Sequence, residues 1–211
     1  MKVIAIRHGE TEWNALGREQ GQLDSPLTAR GLKQAEAIAD RLRRVRFSVL
    51  YSSDLGRALH TAEIVAKATG AKIEVDAGLR ERHTGIFQGM TKEQMQAQYP
   101  GEYAAYQSDP YAYPVPGGES GQQRTDRSVR VMNALADRHA DKTIVIITHG
   151  GFLIGFFEHV LGLAPGNAWR FKRQNAAFNA FDRSDGAWSL ATWNDTSHLD
   201  ALGSLDEPAS L

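Results

Sequence analysis

The sequence contains no cysteine, which excludes disulfide bonds, thiolate metal sites and a thiol nucleophile. An excess of charge is missing as well, because 24 Lys and Arg residues face 25 Asp and Glu residues, for a net charge of −1. A chain balanced in this way has no general attraction for nucleic acid or for acidic membranes. If it binds an anion, the positive charge must be concentrated at the binding site.

Long apolar runs are also absent, since no stretch approaches the roughly 18 residues that a membrane-spanning helix requires. The N-terminus leads directly into a strand pattern, without the basic and apolar segments of a signal peptide. The 211 residues suffice for one sizeable hydrophobic core. We therefore expect a single cytoplasmic domain over residues 1–211, with neither a membrane nor a nucleic acid as partner. The sequence leaves the oligomeric state open.

Short runs rich in Val and Ile are typical of buried strands, and they predict six strands. These cover residues 2–6, 48–51, 72–75, 143–148, 176–181 and 188–193, the last two as a hairpin. Apolar residues at helical spacing predict helices that are capped by Thr28 and Ser53, with Gly70 ending the second. Strands that alternate with helices indicate an α/β fold. We expect a three-layer sandwich, in which a mostly parallel central sheet carries helices on both faces.

Two segments depart from this alternation. Residues 85–121 are rich in Tyr and Pro and contain a predicted helix over 91–99. We interpret this segment as an insertion over the sheet edge, where a lid would lie. From about residue 194 the chain is polar and rich in small residues, which predicts a flexible tail.

Two apolar runs, "VIAIRHG" and "IVIITHGG", end in a histidine followed by glycine. Because the carboxyl ends of parallel strands meet at one edge of a sheet, we expect Arg7, His8 and His149 to lie together there. Gly150 would permit close approach of the backbone to a ligand. Arg57 falls in the first turn of a predicted helix, where an anion is favoured and a planar fork of donors suits phosphate. The pattern therefore predicts a pocket for a compact dianion.

Five stretches of the chain together resemble the histidine phosphatase superfamily. They are "RHGETEWN", "GQLDSPLTARGLKQA", "LYSSDLGRALHTA", "LRERHTGIFQG" and "ITHGG", and they occur in the family's order from residue 7 to residue 151. This superfamily includes broad-specificity phosphatases and cofactor-dependent phosphoglycerate mutases. The resemblance covers most of the chain and implies a phosphohistidine intermediate.

The resemblance also implies a role for each site residue. His8 is the nucleophile, Glu81 is the acid that protonates the leaving oxygen, and His149 is a catalytic residue that holds phosphoryl oxygens. The expected phosphate and substrate contacts are Arg7, Asn14, Gln20, Gly21, Arg57 and Gly150. Phosphoryl transfer needs positioning and charge neutralisation above all, and the neighbouring arginines should keep His8 neutral and nucleophilic. We expect no metal and no cofactor in such a mechanism.

The family contains both phosphatases and mutases, and the sequence favours the first. The run Glu81–Arg82–His83 is similar to the mutase branch, and so is Lys92. The resemblance implies, however, that a mutase insertion carries two arginines for the substrate carboxylate, whereas no Lys or Arg occurs between Lys92 and Arg124. We expect a phosphatase of small phosphate esters. The alternative is a phosphoglycerate mutase, for which 2,3-bisphosphoglycerate would be the priming phosphate donor.

Two other classes of protein also remain open. A metal-dependent hydrolase could use His8 and His149 as ligands, and activity retained in a chelator would exclude it. A phosphate-binding module without turnover could keep the same pocket, and an assay with an aryl phosphate would decide.

Overall fold

At the centre of the structure, a computed structural model that describes residues 1–164 and 167–202, lies a six-stranded sheet. Its strands are β1 (Lys2–Arg7), β2 (Leu50–Ser52), β3 (Ile73–Val75), β4 (Thr143–Thr148), β5 (Phe178–Ser184) and β6 (Ala187–Asp195). They lie in the order β3-β2-β4-β1-β5-β6; β1 to β4 are parallel, β5 is antiparallel to β1, and β6 is antiparallel to β5. The prediction of a mostly parallel sheet is confirmed.

The pairing of β1 with β4 fixes the positions of both histidines. Lys2 lies opposite Thr143 and Arg7 lies opposite Thr148, so the residues after the two strands emerge at the same edge. The backbone N–H of His8 donates to the Thr148 carbonyl at 2.9 Å, which extends the pairing by one bond. The two strand ends therefore meet where the sequence predicts a pocket.

Helices cover both faces of the sheet. Those formed by the described residues are α1 (Glu12–Ala15), α2 (Ala29–Leu42), α3 (Gly56–Thr69), α4 (Lys92–Gln98), α5 (Pro100–Ser108), α6 (Gly121–Arg138) and α7 (Gly150–Leu161). None of the helices within these residues is long and apolar enough to cross a bilayer.

Successive side chains of a strand point to opposite faces of the sheet, and each face has its own core. The core beneath α2 and α3 contains Ile4, Ile6, Ile38, Leu42, Ala62, Val65, Val145 and Ile147. The core beneath α6 and α7 contains Val3, Ala5, Met132, Leu135, Ile144, Ile146, Phe152 and Phe156. The three-layer sandwich is therefore confirmed.

The start of α3 differs from the prediction. Ser53 does not cap this helix, because Leu55 is the N-cap residue and has no side-chain capping bond. The Asp24 carboxylate caps the helix instead, since it accepts the N–H groups of Gly56 at 2.6 Å and Arg57 at 3.3 Å. The caps expected elsewhere are present: Thr28 caps α2, and Gly70 ends α3 with φ +74°.

The segment 85–121 contains two helices, α4 and α5, where the sequence predicted one. Tyr99 lies between them with φ −134° and ψ 57°, outside the helical region, and Pro100 opens α5. The segment has its own small core around Phe87, Met95 and Val115, with tyrosines packed against it. This core is separate from those of the sheet, and the position of the segment as a lid over the sheet edge stays a prediction.

The prediction of a flexible tail from about residue 194 is wrong for residues 194–202. Strand β6 continues to Asp195, whose carboxylate accepts a bond from Arg41 at 2.6 Å. A 3₁₀ turn, Ser197–Leu202, follows and places Leu199 in the core beneath α2, with no exposed surface. Residues 203–211, the rest of the predicted tail, lie outside the described residues.

We predict that Leu199→Ala lowers the free energy of unfolding by about 2–5 kcal/mol, the usual cost of removing a buried leucine side chain. Chemical denaturation monitored by circular dichroism measures this free energy of unfolding. The control is Leu16→Ala, because Leu16 is 63% exposed; it should change stability by no more than about 0.5 kcal/mol. Equal, small effects would mean that residues 197–202 do not pack on the core.

Candidate active site

Two buried imidazole rings lie side by side at the carboxyl edge of the sheet. His8 follows β1 and His149 follows β4, and their ring centroids are 5.1 Å apart. His8 is 2% exposed and His149 is fully buried. Removal from water penalises the charged form of an imidazole, so burial already favours two neutral rings.

The hydrogen bonds of His8 determine which of its nitrogens is nucleophilic. Nδ1 lies 2.7 Å from the Gly9 carbonyl oxygen, which can only accept, so Nδ1 carries the proton. Nε2 then has the lone pair, and the Nε–H of Arg57 donates to it at 3.2 Å. Burial, followed by the charges of Arg57 and Arg7, holds the pKa of His8 well below its usual value. His8 is therefore a neutral imidazole whose Nε2 lone pair faces a guanidinium group.

The loop before α2 holds Arg57 in place. The Arg57 guanidinium donates to the carbonyls of Gly21 at 2.8 Å and Leu23 at 2.7 Å, and to the Asp24 carboxylate at 2.9 Å. Gly21 has φ +53°, which favours glycine, and a Cβ there would collide with the side chains of Gln88 and Thr84. Gly21 thus acts on Arg57 through its backbone. The motif reasoning missed Asp24, which both caps α3 and orients its arginine.

His149 is fixed by a serine and stands at the start of a helix. Its Nε2 lies 2.9 Å from the Oγ of Ser53, and α7 begins at the next residue, Gly150. Burial lowers the pKa of His149 well below its usual value, and the charges of Arg57, His8 and Arg7 act in the same direction. The N-terminus of α7 adds backbone N–H groups and a favourable dipole for an anion.

Gly150 lets Arg7 approach this helix end. A Cβ at Gly150 would lie 3.4 Å from the Nε of Arg7 and 3.3 Å from the side chain of Arg173. Arg7 is buried and donates to the Arg173 carbonyl. The structure therefore brings Arg7, His8, Arg57, His149 and Gly150 together, as the sequence predicts.

Asn14 and Gln20 have local partners. Asn14 Oδ1 accepts from the backbone N–H of Thr11 at 3.1 Å and from the Asn175 amide at 3.3 Å, and the same amide donates to the His8 carbonyl at 2.9 Å. Gln20 is buried, and its Oε1 is 3.4 Å from the Ser25 hydroxyl. Contact of these two side chains with a substrate stays a prediction.

Glu81 lies at the same helix end as His149. Its carboxylate accepts the N–H of Gly151 at 2.9 Å and that of Arg82 at 2.7 Å. A Cβ at Gly151 would lie only 2.1 Å from Glu81 Oε1, so glycine is needed for this approach. The predicted acid is thus held beside the first turn of α7, which begins directly after His149.

Three arginines outside the predicted set of site residues border Glu81 and α7. Arg82 adjoins Glu81 and lies over the ring of Tyr106 from the insertion, 5.3 Å from its centroid. Arg124 donates to the Gly151 carbonyl at 3.1 Å, and the Arg173 side chain lies against Gly150. The segment between Lys92 and Arg124 does lack cations, but the site does not, because flanking elements supply them. Spacing along the chain carried no signal for this arrangement.

A second carboxyl group, Glu19, lies near Glu81. Burial raises the pKa of Glu19, and the Glu81 charge raises it further. Its Oε1 is 3.3 Å from the Gly21 N–H, in the turn that holds Arg57. Within residues 1–164 and 167–202, no group of three or more His, Asp or Glu side chains is placed to hold a metal ion.

Comparison with known proteins decides the family. The family model described as histidine phosphatase superfamily (branch 1) matches residues 3–196. The chain belongs to this superfamily. A metal-independent phosphoserine phosphatase from Arabidopsis thaliana is 37% identical over 207 residues, 97% of this chain and 85% of that protein. Phosphoglycerate mutase-like protein 4 from the same plant is 38% identical over 209 residues, with 97% and 89% covered.

The fold comparison agrees with the family. The solved structure of YhfR from Bacillus stearothermophilus superposes with a TM-score of 0.88 at 31% identity, covering 94% of this chain and 98% of that one. The chain is therefore a histidine phosphatase superfamily enzyme, and its relatives include both phosphatases and mutase-like proteins.

Proposed function

We propose that this histidine phosphatase superfamily member hydrolyses small phosphate monoesters through a phosphohistidine on Nε2 of His8. The observation that carries the proposal is the neutral His8 ring, whose Nδ1 proton is bound to the Gly9 carbonyl and whose Nε2 lone pair lies beside Arg57. A lone pair in a buried, cationic pocket suits attack on a phosphoryl dianion.

Binding of the ester would replace hydrogen bonds that the site residues make with one another in the substrate-free enzyme. The phosphoryl oxygens would take donors from Arg7, Arg57, His149 and the first N–H groups of α7. The Nε–H of Arg57 would leave His8 Nε2 for a phosphoryl oxygen, which frees the lone pair for attack. The Asp24 carboxylate would keep the guanidinium in place during this change.

The transfer then needs one acid and one base, and Glu81 serves as both. As His8 Nε2 forms a bond to phosphorus, the bond to the leaving oxygen breaks. Glu81, which takes up a proton when the phosphate dianion binds beside it, passes that proton to the leaving oxygen. In the second half, the Glu81 carboxylate takes a proton from water, whose oxygen attacks phosphorus and displaces Nε2. Phosphate leaves, and neutral His8 and protonated Glu81 are restored.

Wider proposals accompany this mechanism. It requires no metal and no cofactor, in agreement with a relative that is a metal-independent phosphoserine phosphatase. The partner is a small phosphate ester, with no part for a nucleic acid or a membrane, and the enzyme works in the cytoplasm. That relative makes phosphoserine a suitable first substrate for the assay.

A mutase remains the second candidate. A mutase must bind the carboxylate of its substrate, and Arg82, Arg124 and Arg173 border the site. The guanidinium groups of Arg82 and Arg124 already have partners within the protein. Arg82 donates to the Glu119 carbonyl at 3.0 Å, and Arg124 forms an ion pair with Glu158 at 3.3 Å. We therefore retain the phosphatase as the main proposal. Only a mutase would need 2,3-bisphosphoglycerate as priming donor.

We predict that enzyme quenched during turnover carries an acid-labile, base-stable phosphoryl group, and that His8→Ala abolishes both this label and turnover. His149→Ala should slow labelling by about a hundred- to a thousandfold, the usual effect of losing one phosphoryl-oxygen donor. Labelling and turnover are measured with a radiolabelled ester and rapid quenching.

His60→Ala is the matched control, since His60 is exposed on α3, and it should label and turn over as the wild type does. Undiminished turnover in His8→Ala would contradict the mechanism, and loss of activity in a chelator would favour a metal enzyme.

We also predict that 3-phosphoglycerate, if it reacts, releases phosphate faster than it forms 2-phosphoglycerate, even with 2,3-bisphosphoglycerate present. Weak anchoring of the product alcohol would let it leave, so that water meets the phosphohistidine first. Phosphorus NMR follows both products in one sample. Dominant isomerisation would make the mutase the correct function and would give the three bordering arginines the carboxylate-binding role.

A further inference from the structure

Ser53 directly follows β2 and has a contact that its place in the sequence does not suggest. It was expected to cap α3, yet the structure buries it fully with its Oγ 2.9 Å from Nε2 of His149. The Ser53 backbone N–H donates to the Ile147 carbonyl at 3.0 Å, which fixes its position beside the end of β4. A buried hydroxyl thus contacts the second imidazole of the site.

Hydrogen-bond accounting gives the direction of this contact. The backbone N–H of Leu55 donates to Ser53 Oγ at 3.3 Å, which uses one lone pair of the oxygen. The hydroxyl proton needs an acceptor, and among the described residues the one that Oγ reaches is His149 Nε2. If Nε2–H donated to Ser53 instead, the hydroxyl proton would be buried without a partner, which is unfavourable.

A serine that donates to Nε2 places the imidazole proton on Nδ1. This Nδ1 is buried and has no hydrogen-bond partner within the described part of the chain. The His149 ring also lies 5.1 Å from the ring of His8. The one unsatisfied nitrogen of this ring therefore belongs to a side chain beside the nucleophile, and an N–H there suits an anionic oxygen.

We propose that Ser53 is a positioning residue that holds His149 in the Nδ1–H tautomer, so that this N–H donates to the phosphoryl group as His8 Nε2 attacks it. In the opposite tautomer, Nδ1 would direct a lone pair at a phosphoryl oxygen and repel it. This role rests on the proposed phosphohistidine mechanism. The tautomer itself can be measured without any substrate.

The chain supplies a matched control one residue away. Ser52 is also fully buried, and its hydroxyl donates to the Ser53 carbonyl at 2.8 Å, with no bond to His149. Ser52→Ala therefore removes a buried hydroxyl from the same strand end without touching the imidazole. Ser53→Thr keeps the hydroxyl that the proposal requires.

The first measurement is ¹⁵N NMR of the substrate-free enzyme, with the His149 signals identified by their loss in His149→Ala. We expect a protonated Nδ1 and an unprotonated Nε2 in wild type and in Ser52→Ala, and a mixture of tautomers in Ser53→Ala. A protonated Nε2 in wild type would overturn the proposal. The wild-type result does not depend on whether Ser53→Ala folds or on which ester is the substrate.

The second measurement is steady-state kinetics on a phosphate monoester. Ser53→Ala should lower kcat by about tenfold or more, because hydrogen bonds to charged groups are the strong ones. Ser53→Thr and Ser52→Ala should remain within about threefold of wild type. In a His149→Ala background, Ser53→Ala should cause no further loss, since the two residues act as one unit.

An equal loss from Ser53→Ala with and without His149 would overturn the proposal and leave Ser53 a purely structural residue. Failure of the proposed function has a different signature, namely turnover or labelling that survives in His8→Ala. The two failures are therefore distinguishable with the same set of variants.

Discussion

The rings of His8 and His149 are buried beside Arg7 and Arg57, and this placement requires that both stay uncharged. Neutral imidazoles are useful only if their protons lie on the correct nitrogens. A backbone carbonyl takes the Nδ1 proton of His8 and so leaves Nε2 as the nucleophile. We infer that His149 also carries its proton on Nδ1, because the Ser53 hydroxyl donates to its Nε2. The pocket can then combine an attacking lone pair with a ring of donors.

Two carboxylates lie beside the positively charged groups of the site. Asp24 pairs with Arg57 from a neighbouring loop, and Glu81 lies against the first turn of α7. Glycine at positions 21 and 151 gives the backbone the shape or the space that these contacts need. Because the Asp24 carboxylate is bound to backbone N–H groups at the start of α3, it holds the Arg57 guanidinium in a fixed position. Such preorganisation is the main means by which proteins accelerate phosphoryl transfer.

The sequence predicted the parts of the site that follow strands and recognisable motifs. His8 and His149 were found because parallel strands end at one edge of a sheet, and Arg57 because it opens a helix. Asp24, Arg124 and Arg173 were missed and Ser53 was misassigned as a helix cap, because packing of distant segments brings them to the site. The buried Leu199 was missed for the same reason, because its local sequence is polar and rich in small residues while packing in the core beneath α2 buries it.

The central claim is that His8 is a neutral imidazole with an unprotonated Nε2, and ¹⁵N NMR of the substrate-free enzyme at about pH 6 tests it most directly. An ordinary histidine, with a pKa near 6.5, is mostly protonated at that pH. Burial and two arginines lower the pKa of His8, so its charged form should appear only at much lower pH. The account predicts one protonated nitrogen, Nδ1, and an unprotonated Nε2. An imidazolium at pH 6, or a proton on Nε2, would contradict it.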